Sequence, residues 1–117
     1  MNIPEIIKSN SKTKAIQILK GNIRAKLLVD RNWIERAILV LFERQTSDEK
    51  SSEETNHNNF VGFNKSDAAR LSFVAKFLLN GGRLKPEKAV QVYGPKVAKY
   101  AAQLARVVYE KNLNQAA

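Results

Sequence analysis

The chain contains no cysteine, and only one histidine and one methionine among its 117 residues. Missing thiols exclude disulfides and thiolate metal sites and agree with a reducing compartment. The single histidine, His57, lies in an acidic polar stretch and reads as a solvated side chain, so no metal site is expected. Long apolar runs are also missing: no segment approaches the roughly 20 residues that span a bilayer. Residues 1–10 lack the apolar centre of a secretory leader, because Glu5 and Lys8 interrupt it. A cytoplasmic protein without membrane association is the expectation. Catalytic groupings are scarce as well. No serine stands in a nucleophile context, and the acidic side chains cluster where nothing would hold a pair at catalytic separation. The one Gly-Gly pair, Gly81-Gly82, lacks the spacing and strand context of a phosphate-binding loop. The chain therefore reads as a non-enzyme with no cofactor.

What the chain has is positive charge. Twenty Lys and Arg against eleven Asp and Glu leave +9, with an isoelectric point near 10.0. Residues 1–29 hold six basic and one acidic residue, residues 30–59 four and seven, and residues 60–117 ten and three. Two basic lobes thus flank an acidic stretch. Such an excess concentrates polyanions near the surface and speeds their encounter without specifying a fold.

The apolar period is helical almost throughout, and 44% hydrophobic residues suffice for one core. Residues 12–19 predict a short helix with Ser11 or Thr13 near its start and Gly21 near its end. Residues 22–29 read as another turn or two of helix, although the alternation of Ile23, Ala25 and Leu27 also allows a strand. Asp30 is placed to cap the strongest helix, which carries Trp33, Ala37, Val40 and Leu41 with Ile34 and Ile38 alongside. Residues 46–59 contain no large apolar side chain and read as a disordered, mobile acidic loop. Order resumes with Asn64 as N-cap and Asp67 in the capping-box position. The helix that follows has Ala68, Leu71, Ala75 and Leu78 on one stripe, with Val74 and Leu79 beside it, and stops at Asn80-Gly81-Gly82. Pro86 opens another helix, Gly94-Pro95 breaks or kinks it near Tyr93, and a last long helix runs from Pro95 to about Asn112. Trp33, Phe77 and the three tyrosines are assigned to the core. The expected fold is all-α: a single domain forming a compact bundle of four to five helices, with residues 1–29 as a basic N-terminal segment and residues 60–112 as a C-terminal helical core.

The basic residues supply the candidate surface. On a continuous last helix Lys96, Lys99, Gln103 and Arg106 would project from one face. Arg83, Lys85 and Lys88 come from the preceding connection and helix, and Arg70 from the helix before that. Lys12, Lys14 and Arg24 make a second set. Cationic tips on aliphatic stems can track phosphates, and the amide of Gln103 can reach a sugar or a base edge.

An ordered series of segments adds a setting. It consists of Trp33-Ile34-Glu35-Arg36-Ala37-Ile38, Glu43-Arg44-Gln45-Thr46-Ser47-Asp48-Glu49, Gly62-Phe63-Asn64 with Asp67-Ala68, Leu84-Lys85-Pro86-Glu87-Lys88, and Lys99-Tyr100-Ala101-Ala102-Gln103-Leu104. This series resembles a small helical module of phage, plasmid and bacterial proteins, sometimes found beside helicase-like DNA-processing domains. The resemblance spans about residues 33–108 and implies a DNA- or RNA-related setting with no catalysis. Residues 1–29 fall outside it and read as a basic arm. The function expected is a non-catalytic nucleic-acid-binding module working through the phosphate backbone of DNA or RNA. The alternative is a protein-interaction module of a mobile element: a small subunit of a nucleoprotein complex or an inhibitor of a host defence system.

Overall fold

The computed structural model describes the backbone of residues 2–52 and 62–116, with side chains for 2–45 and 62–113. Among these residues the fold is all helical, with no strand. The elements are α1 (Ile3–Ser9), α2 (Lys12–Leu27), α3 (Arg31–Ser52), α4 (Ala68–Leu79), α5 (Pro86–Lys88), a π-helical turn (Ala89–Tyr93), α6 (Gly94–Ala98) and α7 (Ala101–Ala116).

Ser11 starts α2, its hydroxyl accepting from the Lys14 N–H at 3.3 Å. The helix then runs through Gly21 to Leu27 and absorbs the expected second piece, so the strand alternative does not form. Ala15, Leu19, Ile23 and Leu27 recur every four residues and are all buried, three of them completely. Each fully buried aliphatic side chain contributes about 1.5–3 kcal/mol. That anchoring overturns the reading of residues 1–29 as an arm: α2 is a core helix packed along α7, with α1, α3 and α6 also against it. A helix α1 precedes it, capped by Asn2, whose side chain accepts from the Glu5 N–H.

Asp30 opens α3, its Oδ1 accepting from the N–H groups of Asn32 at 2.9 Å and Trp33 at 3.3 Å. Ile34, Ile38 and Leu41 are the fully buried stripe, while Trp33 and Val40 pack half-buried beside it. The helix continues to Ser52, which corrects the expectation of loop from residue 46. Thr, Ser, Asp, Glu and Lys do not need a core to extend a helix already nucleated, since each added residue gains a backbone hydrogen bond. Residues 53–59 of the expected loop, with His57, lie outside the described residues, as does Phe60.

The stop of α4 is as expected. Gly82 N–H donates to Phe77 O and Gly81 N–H to Leu78 O, with Gly81 at φ +91°, which makes a Schellman closure. Leu71, Val74 and Ala75 are buried, and Leu78 packs half-buried against the core. Two assignments on this helix are corrected: Phe77 is 46% and Leu79 63% exposed. α4 packs chiefly on α3 and so buries one stripe only. Residues 71, 74, 75 and 78 fill that stripe.

The largest departure concerns Gly94-Pro95. Instead of ending a helix there, the chain stays helical over residues 86–98 by widening to a π turn, in which Gly94 N–H donates to Ala89 O. The wider turn moves the carbonyl that the Pro95 ring would otherwise strike, and it tolerates the missing N–H. Gly94 is buried against α2: a Cβ there would sit 2.7 Å from Leu27 O. The actual break falls at Lys99 and Tyr100, where Tyr100 N–H donates to Val97 O at 2.9 Å before α7 begins.

Gly94→Ala should therefore cost about 1–3 kcal/mol, because backbone and not a pliable side chain must move. Gly21→Ala, in an exposed helix interior with nothing within 4 Å of the new methyl, should stabilise by about 0.5–1 kcal/mol. Thermal or urea unfolding of the two variants, shifting in opposite directions from the parent, checks both.

Candidate nucleic-acid interface

Residues 62–64 lead into α4 without belonging to a helix, so their backbone donors need partners from elsewhere. Three side chains supply them. Gly62 N–H donates to Gln103 Oε1 at 2.6 Å, Phe63 N–H to Gln45 Oε1 at 3.2 Å and Asn64 N–H to the Tyr100 hydroxyl at 2.9 Å. Gln103 also returns a bond from Nε2 to Gly62 O at 3.1 Å. Gly62 is at φ +78°, and a Cβ there would collide with the Cβ of Gln45. Only glycine meets both requirements.

The expected capping box is present in altered form. Asn64 Oδ1 accepts from the Asp67 N–H at 3.0 Å. The return half is relayed, however: Asn64 N–H reaches the Tyr100 oxygen, and the Tyr100 hydroxyl donates to Asp67 Oδ2 at 2.6 Å. Lys99 Nζ lies 2.5 Å from the same oxygen, and the Phe63 ring packs edge-on to Tyr100 with centroids 6.1 Å apart. Burial alone would raise the Asp67 pKa. The hydrogen bonds from Lys99 and Tyr100, with the charges of Lys99 and Lys96, outweigh it and hold the carboxyl below its ordinary 3.8. Tyr100 moves the other way: burial first, then its bond to Asp67, pushes the phenol well above its usual 10.0.

A second clamp ties residues 83–84 to α3. Buried Glu35 accepts from Arg83 Nε at 2.8 Å and from the Leu84 N–H at 2.8 Å. Arg83 Nη2 donates to Asn32 Oδ1 at 2.9 Å, and Arg31 Nη1 to Leu84 O at 3.3 Å.

No protein-family model, curated protein or solved structure matches this chain.

The structure divides the expected contacts. Because the helix breaks at residues 99 and 100, Lys96 lies on α6 and Gln103 and Arg106 on α7, so the four-residue ladder does not exist. Gln103 is taken up by Gly62 and by Arg44 Nε at 3.3 Å, which corrects its assignment to a base edge. Lys99 is held by Asp67, and Arg83 by Glu35 and Asn32. Lys96 is half-buried near Asp67. Lys85, Lys88, Arg106 and Arg70 are exposed, on three separate elements (α5 with its cap, α7 and α4) rather than one row.

The second set fares better. Lys12, Lys14 and Arg24 are exposed on α2, together with Lys20 and Lys26, which sequence reasoning left out. No acidic residue occurs from Ile6 through Val29. Among the described residues none of these cations forms an ion pair, and Lys8 on α1 joins them. That uninterrupted acid-free run was the signal available for finding Lys20 and Lys26. Among the described residues no group of three acidic or imidazole side chains is arranged to hold a metal ion, and no helix is long and apolar enough to cross a membrane.

Tyr100→Phe should cost about 1–3 kcal/mol at neutral pH, since it leaves the Asn64 N–H unpaired and Asp67 one donor short. The pH dependence follows from the two shifts. Asp67, depressed in the fold, contributes stability that is complete above the ordinary carboxylate pKa and is lost as acid titrates the folded carboxyl. Tyr100, raised in the fold, contributes stability that is complete below pH 10.0 and is lost as the pH climbs above that value. In melts from pH 3 to 11, Asp67→Asn should flatten the acid limb and Tyr100→Phe the alkaline limb. Unchanged limbs would refute the assignment.

Proposed function

We propose that this protein is a non-catalytic nucleic-acid-binding module that contacts the phosphate backbone. The observation carrying the reading is α2, which displays Lys12, Lys14, Lys20, Arg24 and Lys26 in solvent with no acidic residue in the helix. An ordinary soluble surface intersperses the two signs. A helix that carries only one sign is suited to a polyanion, whose counterions it releases. Its inner stripe is locked in the core, so the cations are borne on a rigid element and little ordering entropy opposes binding. Arg70, Lys85, Lys88 and Arg106 extend the positive surface around the molecule. The resemblance of residues 33–108 to the phage, plasmid and bacterial module supplies a DNA- or RNA-related setting for the same activity.

A second reading, a protein-interaction module of a mobile element, is favoured by large apolar side chains left in solvent, Val29 at 71% and Phe73 at 75% exposure. Salt separates the two. Phosphate binding gives a linear fall of log affinity with log salt, with a slope of about 0.7–0.9 per phosphate neutralised.

Fluorescence anisotropy with labelled single- and double-stranded DNA and RNA should show binding that weakens steeply between about 50 and 200 mM salt. Lys12→Glu/Lys14→Glu/Arg24→Glu should weaken it at least tenfold and lower the salt slope by about one for each cation that had met a phosphate. Arg83→Ala and Lys99→Ala should instead lower the melting temperature and leave the slope nearly unchanged. No binding by the parent at low salt sinks the reading.

A further inference from the structure

The outward face of α4 is chemically unlike the rest of the surface. Arg70, Phe73, Lys76, Phe77 and Asn80 follow one another at helical spacing on the side opposite Leu71, Val74, Ala75 and Leu78, and all five are exposed. α4 contains no acidic residue at all. Phe73 is 75% and Phe77 46% exposed, which is the reverse of where phenylalanine normally resides. Their Cβ atoms, four residues apart, stand about 6 Å from one another. The Phe77 ring lies over Gly82: its Cζ, Cε1 and Cε2 lie where a Cβ on Gly82 would be only 2.5–2.6 Å away, so the ring is seated on bare backbone. The glycine pair at the end of α4 thus closes the helix and makes room for a ring.

We infer that Phe73 and Phe77 form a stacking platform for unpaired bases of single-stranded nucleic acid, with Arg70 and Lys76 on the flanking phosphates. This inference rests on the nucleic-acid-binding reading above and names its strand form. A second copy of the chain would bring two such faces, each carrying Arg70 and Lys76 and no acid, together across a two-fold contact, a repulsive arrangement. α4, supported chiefly by α3, leaves this face as the outward side of a single helix, with cations beside both rings and no acid to offset them. A face bearing flat rings between cations matches splayed bases strung on phosphates. In a duplex those bases are already stacked and give the rings nothing to cover.

Anisotropy with a labelled oligothymidylate and a hairpin duplex of equal charge tests this at two salt concentrations. Phe73→Ala/Phe77→Ala should weaken single-strand binding about tenfold or more, from stacking worth about 1–3 kcal/mol per base. Duplex affinity and the salt slope should stay as in the parent. Phe73→Leu/Phe77→Leu, which keeps apolar surface but removes the rings, should weaken it nearly as much. Far-UV circular dichroism and melting confirm that each variant is folded. Single-strand affinity unchanged by the Ala pair, restored by the Leu pair, or reduced equally with duplex affinity overturns the platform while phosphate binding stands. A parent that binds neither oligonucleotide overturns both readings. If that parent instead binds an acidic amphipathic peptide through Phe73 and Phe77, the face serves a protein partner.

Discussion

Three consecutive backbone amides, those of Gly62, Phe63 and Asn64, have no helix of their own to satisfy them, and three side chains from α3 and the α6–α7 region do so instead. Buried amides left without partners would cost about 1–3 kcal/mol each, so the approach of these segments is fixed within hydrogen-bond tolerance. The consequences spread outward. Gln45 on α3 and Gln103 on α7 meet at one strip of backbone, and Tyr100 bridges from that strip to Asp67 at the head of α4. The turn at residues 99 and 100 is what aims the Tyr100 hydroxyl there. α4 in turn can only lie along α3, which leaves its far side to solvent. The exposed phenylalanines are thus a consequence of where the clamp sets the helix.

The ordered series of segments singled out between residues 33 and 108 takes on physical meaning from these contacts. Gly62-Phe63-Asn64 and Lys99-Tyr100-Ala101-Ala102-Gln103-Leu104 are in direct contact through Gly62 with Gln103 and Asn64 with Tyr100, and Lys99 and Tyr100 both reach Asp67. Glu35 and Leu84, from two further segments of the series, are joined in the second clamp. Residue patterns that hold a fold together can look as specific as those that hold a ligand. Here Glu35, Gln45, Asp67, Tyr100 and Gln103 of the series hold the fold.

Helical class, the Asp30 and Ser11 caps, the stop after α4 and the stripes of α2 and α3 were legible because each depends on local spacing and local hydrogen bonds. Three features were not, each for a nonlocal reason. Gly94-Pro95 signals a break, yet burial of Gly94 against Leu27 rewards continuity, and a π turn reconciles the two. Residues 99 and 100 carry no glycine or proline, so nothing local announces the turn whose benefit lies 33 residues away at Asp67. Residues 46–52 lack apolar side chains, and apolar content bears on whether a segment can fold alone, not on whether it can prolong a helix already formed. The candidate surface was legible as charge but not as geometry. Spacing grouped Lys96, Lys99, Gln103 and Arg106, while three-dimensional pairing removed Lys99 and Gln103 from that group.

That subtraction bears on how a basic protein of this size uses its charge. The chain is rich in cations, but the buried acids Glu35 and Asp67 each claim one, Arg83 and Lys99. A buried carboxylate left without its partner is costly, so these two cations are committed to the fold and are weak candidates for meeting a ligand. The opposite holds for α2. It folds by aliphatic burial alone, through Ala15, Leu19, Ile23 and Leu27, and requires nothing of Lys12, Lys14, Lys20, Arg24 and Lys26. Lys20 and Arg24, one turn apart, repel one another, and Lys12 and Lys14 in the first turn oppose the helix dipole slightly. They persist at a cost that the core does not require, and a polyanion bound along α2 would relieve it. Separating cations that the fold consumes from cations that it merely tolerates is therefore the step by which net charge becomes a statement about a surface, and in this chain it moves the weight from the C-terminal helices to α2.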